Sequence, residues 1–78
     1  MEMKLIIPDS VILKLHYETS DFHPGDSAYD IAQTILEDEV SDTFTYGFLL
    51  TSLMQLSDSL SGKVLLDEFI NLVNRVRK

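Results

Sequence analysis

Hydrophobic and polar residues alternate near the start of the chain. Residues 11–18 place apolar side chains at the odd-numbered positions and mainly polar ones at the even-numbered positions. Residues 2–7 follow a similar alternation, and this two-residue period is typical of a half-buried β-strand. The residues between them, Pro8-Asp9-Ser10, favour a turn, because proline fixes φ and aspartate can hydrogen-bond its own backbone. We therefore predict a β-hairpin with strands at about 2–7 and 11–18.

The same segment also has a helical interpretation. Asp9 or Ser10 can cap the start of a helix that runs to Glu18. The turn at 8–10 also lacks the glycine that tight hairpins favour. The alternative fold is therefore an all-α four-helix bundle.

Beyond the break at His23-Pro24-Gly25, apolar residues recur every three or four positions, which is the period of an amphipathic helix. Ser27, with Asp30 three residues later, resembles a capping box, and Ser41 or Asp42 can cap the next helix. We predict an α+β, mainly helical fold in which the hairpin packs on three helices. They are expected within a single domain, 1–78, at about 26–40, 42–57 and 63–77.

The 42–57 helix is apolar over most of its circumference. A seam with three-four spacing is widened by further apolar residues: Tyr46, Leu49, Leu53, Leu56 and Leu60, beside Phe44, Phe48, Leu50 and Met54. Such a helix is usually central, so we expect it at the middle of the core. Gly47 inside it costs about 1 kcal/mol relative to alanine. Close approach of another backbone is one reason to keep a glycine there.

The composition narrows the class of protein. The chain has 78 residues, no cysteine and a net charge of −7, which excludes disulfides and thiolate metal sites and disfavours binding to nucleic acid or membranes. The longest uncharged run, 43–57, is too short and too polar for a membrane span, which needs about 20 mainly apolar residues. The N-terminus lacks the pattern of a signal peptide. We expect a cytoplasmic protein that does not contact membranes.

Charge is distributed very unevenly. No lysine or arginine occurs between Lys14 and Lys63, although most of the carboxylates lie there. This segment cannot neutralise itself, so its negative field attracts basic surfaces and repels nucleic acid. The candidate partner-binding residues are the carboxylates of the 26–42 region: Asp26, Asp30, Glu37, Asp38, Glu39 and Asp42.

The run Glu37-Asp38-Glu39 is the strongest part of this signal. It falls at the predicted C-terminal end of a helix, where carboxylates meet the negative pole of the dipole at a cost of about a few tenths of a kcal/mol each. Helix positions 26, 30, 33 and 37 share a stripe, on which positions four residues apart lie about 6 Å apart, close to the spacing of neighbouring phosphates on a nucleic-acid strand. Local stability does not explain these charges. A docking surface for a basic partner does, and a solvated face that confers solubility is the simpler alternative.

The expected function is thus a small, acidic, non-enzymatic protein-interaction module. It would act as an inhibitor or regulator that occludes a basic, for example nucleic-acid-binding, surface of a partner. Small inhibitors from phages and mobile elements are analogous in size and charge. The alternative is a homo-oligomeric structural or regulatory helical protein, such as a homodimer, because three short helices carry more apolar surface than they can cover.

Catalytic and metal chemistry have little support in the sequence. The only histidines, His16 and His23, belong to no recognisable nucleophile or metal spacing, and we expect both at the surface. We predict no enzymatic activity and no cofactor. The basic residues of 74–78 are too few against the net charge, so no direct nucleic-acid binding is expected.

Residues 57–68 resemble an EF-hand calcium loop in their spacing. Gly62 occupies the sixth position, Val64 the eighth and Glu68 the twelfth. The resemblance implies a helix–loop–helix with calcium ligands at Ser57, Ser59, Ser61, Lys63 and Glu68. Serines replace the loop carboxylates, so most of the attraction for a divalent ion is lost. The third hypothesis is therefore a degenerate EF-hand-like helix–loop–helix without its metal.

Overall fold

The computed structural model describes residues 4–77, and in this range the chain forms four α-helices and no strand. In chain order they are α1 (Asp9–Ser20), α2 (Ala28–Glu39), α3 (Thr43–Ser57) and α4 (Gly62–Val76). The all-α alternative fits this architecture. The bounds of α2, α3 and α4 lie within two residues of the predicted ranges.

The predicted β-hairpin, and with it the α+β class, is wrong. Its second strand, 11–18, lies inside α1, and the first, 2–7, begins outside the described residues and has no regular secondary structure from residue 4 onwards. The alternating pattern misled because two of the odd-numbered residues, Leu13 and Tyr17, are exposed rather than buried. The side chains that α1 buries follow the helical period instead: Val11, Ile12, Leu15 and Thr19.

Local chemistry sets where the helices begin. Pro8 is the N-cap residue of α1, with φ −65° and ψ 150°, and Asp9 adds a carboxylate to the first turn, where the helix dipole favours it. Ser27 Oγ accepts a hydrogen bond from the Asp30 N–H (3.2 Å), and Asp42 Oδ2 accepts one from the Thr45 N–H (2.9 Å). The predicted caps of α2 and α3 are confirmed.

The core is built around α4 and α2 rather than around α3. Each of these two helices packs against the other three, whereas within residues 4–77 α1 and α3 pack only on α2 and α4. Of the four helices α4 buries the most residues, Leu65, Leu66, Phe69, Ile70 and Val73, and α3 buries only Thr45, Leu49 and Leu53. The expectation that α3 is central is therefore wrong, and Phe44, Phe48 and Met54 are left exposed.

The segment before α1 is attached to α3. The Ile6 N–H donates a hydrogen bond to Thr45 Oγ1 (2.8 Å), and the Ile7 side chain packs against the core. At the other end of the chain, the Arg77 guanidinium forms an ion pair with Asp9. The start of α1 and the end of α4 therefore lie together. Within residues 4–77, no helix is both long enough and apolar enough to cross a bilayer.

Candidate functional site

The six candidate carboxylates do not form one uniform surface. Asp26 precedes α2, in a turn where its carboxylate accepts the His23 N–H (3.0 Å) and its own N–H donates to the His23 carbonyl (2.9 Å). Asp30 lies in the first turn of α2, and Glu37, Asp38 and Glu39 lie in its last turn. The continuous helical stripe expected from 26 to 37 therefore loses Asp26 to the preceding turn.

Glu39 is paired within the fold. Its carboxylate accepts hydrogen bonds from Lys14 Nζ (2.5 Å) and from Ser10 Oγ (2.6 Å), both on α1. The hydrogen bond from Lys14 and then that from Ser10 hold the pKa of Glu39 below its ordinary value. The same contact raises the pKa of Lys14, and the nearby Asp38 carboxylate contributes to that rise. Glu39 thus joins α1 to the end of α2.

Asp42 also has a structural role. Its carboxylate accepts hydrogen bonds from the backbone N–H and the hydroxyl of Thr45 (2.9 and 2.8 Å). These bonds stabilise the charged form, so the pKa of Asp42 lies below its ordinary value. A carboxylate in an N-cap also faces the positive pole of the helix.

Asp30, Glu37 and Asp38 are exposed, and none of them is paired with a cation among residues 4–77. The ion pairs formed among residues 4–77 are Lys14–Glu39 and Arg77–Asp9, and neither includes these three side chains. Glu37 and Asp38 lie at the negative pole of α2, and neither is hydrogen-bonded to a cation in the described part of the chain. These carboxylates can accept charge-assisted hydrogen bonds from the arginine or lysine side chains of a partner.

A groove between α1 and α2 lies beside these carboxylates and was not expected from the sequence. It has a volume of about 620 Å³ and an apolar lining of Leu13 and Tyr17 from α1 with Ile31 and Ile35 from α2. Polar side chains border it: Lys14, Glu18, Asp30, Thr34 and Asp38. The sequence signal for this groove is the excess of apolar side chains in residues 11–18. These side chains can be assigned to one surface only once the segment is known to be a helix.

The outer side of α3 is a second exposed apolar surface, and we call it the α3 face. Phe44 and Phe48 are 44% and 39% exposed, and they border a shallow depression with Gly47, Thr51 and Gln55. A Cβ added at Gly47 would meet no atom within 4 Å, so the close backbone approach suggested for this glycine does not occur inside the molecule.

The segment that resembles an EF-hand loop is folded differently. α3 ends at Ser57 and α4 begins at Gly62, so Lys63–Glu68 is helical and only four residues, 58–61, connect the helices. Gly62 has φ of 63°, a left-handed conformation that favours glycine. In the part of the chain that the structure describes, no cluster of three or more His, Asp or Glu side chains is arranged to hold a metal ion.

His16 and His23 are both exposed, as predicted. His16 lies on α1 and His23 in the loop before α2, where only its backbone takes part in the hydrogen bonds described above. The strongest features of the surface are therefore the unpaired carboxylates of α2, the α1–α2 groove beside them and the α3 face. Comparison of the chain with protein-family models, curated proteins and solved structures finds no match.

Proposed function

We propose that this chain is a protein-interaction module that binds a basic surface of a partner protein through the carboxylates of α2. The observation that carries the proposal is that Asp30, Glu37 and Asp38 form no ion pair with any described residue, on a molecule of net charge −7. Two of these carboxylates, Glu37 and Asp38, lie at the C-terminal end of α2, where the negative pole of the helix dipole is unfavourable for them. Their position is accounted for by a basic partner and not by local stability.

The proposed mechanism is occlusion. The carboxylates of α2 bind the arginine and lysine side chains with which the partner otherwise binds phosphates. The module thereby acts as an inhibitor or regulator of a nucleic-acid-binding protein. Complementary charge mainly accelerates association and selects the partner, while apolar contacts supply much of the affinity. Added salt should weaken the complex, since exposed charges are screened beyond about 10 Å at 0.1 M ionic strength.

Affinity capture from the native host with a charge-neutralised variant tests this proposal. Glu37→Gln combined with Asp38→Asn removes two charges while keeping the size of both side chains. We expect the partner to be retained by the native protein and lost by this variant. Capture at roughly 0.05 M and 0.5 M salt should show weaker retention at the higher concentration.

The chain supplies a matched control for that experiment. Asp67 and Glu68 form a second adjacent pair of exposed carboxylates, on α4. Asp67→Asn with Glu68→Gln changes the net charge equally but leaves α2 intact, so this variant should retain the partner. Equal recovery by both double variants means that α2 is not the binding surface and discards the proposal.

The α3 face favours a second candidate, self-association. α3 carries no charged side chain, and it is the helix on which a second copy can pack without bringing carboxylates together. The open space beside Gly47 allows a neighbouring helix to approach closely. Sedimentation at micromolar concentration should then show a dimer that Phe44→Ser with Phe48→Ser dissociates, whereas Val64→Ser on α4 leaves it intact. A monomer throughout removes this candidate.

A further inference from the structure

The α1–α2 groove exposes apolar side chains that the fold does not use. Leu13 and Tyr17 are 67% and 66% exposed, although both are large and lie one helical turn apart on α1. Opposite them Ile31 is only partly buried, and the groove of about 620 Å³ lies within the range of sites that bind ligands. A contiguous apolar strip of this kind marks a surface that is covered on binding.

The charges beside the strip differ between its two ends. At one end Lys14 is hydrogen-bonded to Glu39 and lies near Asp38, so the negative charge there is partly compensated. Toward the other end stand Glu18 and Asp30, and neither takes part in an ion pair among the described residues. The groove is therefore apolar along its length, and Lys14, the one cation among its described lining residues, lies at the end away from Glu18 and Asp30.

We propose that this groove binds an amphipathic helix of a partner protein, with arginine or lysine at the end that meets Glu18 and Asp30. This inference rests on the proposed function and specifies the partner's structure. Leu13 and Tyr17 on one wall and Ile31 and Ile35 on the other repeat at four residues, so they match apolar residues with three-four spacing on a third helix. The carboxylates Asp30 and Asp38 stand about 12 Å apart along α2, by the helical rise, or about two turns of the bound helix.

Charge disfavours a second copy of the chain that would pack its own α1 or α2 on the groove. The molecule carries a net charge of −7, and its own α1 and α2 surfaces are dominated by carboxylates. A copy that brought such a surface to the groove would place like charges beside Glu18 and Asp30, which is destabilising. A basic amphipathic helix instead covers the apolar strip and neutralises the same end of the groove.

Defined peptides test the groove directly. The probes are alanine-based helical peptides of about 16 residues, each with two leucines four residues apart and two arginines placed at varied distances to one side. A control peptide of identical composition has its leucines on opposite faces. In titrations of the isotopically labelled full chain, we expect amide shifts grouped around Leu13, Tyr17, Ile31 and Ile35. The best probe should bind at least about tenfold more tightly than the control.

Variants of the chain then distinguish binding in the groove from non-specific attraction to an acidic protein. Leu13→Ser and Tyr17→Ser should each weaken the best probe by about tenfold or more, while Val64→Ser, at a residue 54% exposed on α4, leaves affinity unchanged. Asp30→Asn should also weaken binding, because it removes one of the two carboxylates that meet the basic residues of the probe. Circular dichroism verifies that each variant is folded.

The outcomes that overturn the inference are distinct. They are shifts outside the groove, equal binding of the control peptide, insensitivity to Leu13→Ser and Tyr17→Ser, or a concentration-dependent dimer that these changes dissociate. If capture of the host partner depends on Glu37 and Asp38 but not on Leu13 and Tyr17, the groove inference fails while the proposed function survives. If the peptides bind in the groove but capture ignores Glu37 and Asp38, the proposed function fails instead.

Discussion

Thr45 connects three parts of the molecule through one hydroxyl group. Its Oγ1 accepts a hydrogen bond from the Ile6 N–H and donates one to Asp42 Oδ2, both at 2.8 Å. The Thr45 side chain is fully buried, so water does not reach its hydroxyl. The Thr45 hydroxyl therefore fixes the segment before α1 against the capped start of α3.

Replacing Thr45 by valine should show how much these hydrogen bonds contribute to stability. Thr45→Val preserves the shape of the side chain but leaves the Ile6 N–H without its acceptor in a partly buried position. We expect the free energy of unfolding to fall by about 1–3 kcal/mol, measured by urea denaturation. Thr51→Val, at an exposed position on the same helix, is the control and should change it by less than about 0.5 kcal/mol. Equal effects of the two substitutions would contradict this role.

Glu39 should make the stability depend on pH in the acid range. Its folded-state pKa lies below the ordinary value of 4.5, so its bonds to Lys14 and Ser10 stabilise the fold above about that pH. This contribution is lost as the pH falls through the lower folded-state pKa. Glu39→Gln should therefore reduce stability at pH 7 but have a much smaller effect near pH 2, as measured by urea denaturation at each pH. A destabilisation of the same size at both values would argue against the pairing.

The chemistry of the acidic residues was only partly readable from the sequence. The acidic residues themselves could be identified, because the sequence shows directly that no lysine or arginine lies between Lys14 and Lys63. The role of Glu39 was not, since Lys14 is 25 positions away and only the packing of α1 against α2 brings the two together. The cap at Asp42 was predictable because its partner lies three residues further along the chain.

At the scale of the helix, the three later elements were predictable and α1 was not. In α2 the apolar residues and the cap indicate the same structure, and in α4 the spacing of the apolar residues alone indicates the helix. In α1 the exposed Leu13 and Tyr17 fill the odd-numbered positions and imitate a strand. The residues that confused the local pattern are the ones that line the groove. Apolar residues that the core does not bury therefore have two effects. They obscure the pattern from which secondary structure is predicted, and they mark an exposed surface.

Two glycines should respond in opposite ways to alanine. Gly47 lies inside α3 with open space around it, so Gly47→Ala should raise the free energy of unfolding by about 0.5–1 kcal/mol. Gly62 has a φ of 63°, which is unfavourable for alanine, so Gly62→Ala should lower the free energy of unfolding by about 1–2 kcal/mol. Thermal and urea denaturation of both variants test this pair. A loss of stability in Gly47→Ala would show that the position is not free.

For the molecule as a whole, repulsion among like charges outweighs the few ion pairs. The protein has thirteen acidic and six basic residues, and the two ion pairs formed within residues 4–77 both lie at the surface, where solvent screening makes each contribute little. Screening should therefore remove more repulsion than attraction.

We predict that sodium chloride stabilises the protein. The urea midpoint should rise between about 0.02 M and 0.3 M salt, over which the screening length falls severalfold. The variant Glu37→Gln with Asp38→Asn should show a smaller rise, because it carries less charge to screen. A midpoint that falls with salt would mean that attraction between charges dominates.

The contribution of α4 to the core has a consequence for the protein during its synthesis. Until residues 62–76 have left the ribosome, the apolar faces of α1, α2 and α3 lack the helix that covers them, since α4 buries Leu65, Leu66, Phe69, Ile70 and Val73. The core therefore closes only once residues 62–76 are available, rather than progressively. Until Lys63 is added, the nascent chain has no cation beyond Lys14, and we expect mutual repulsion to oppose aggregation of neighbouring unfinished chains.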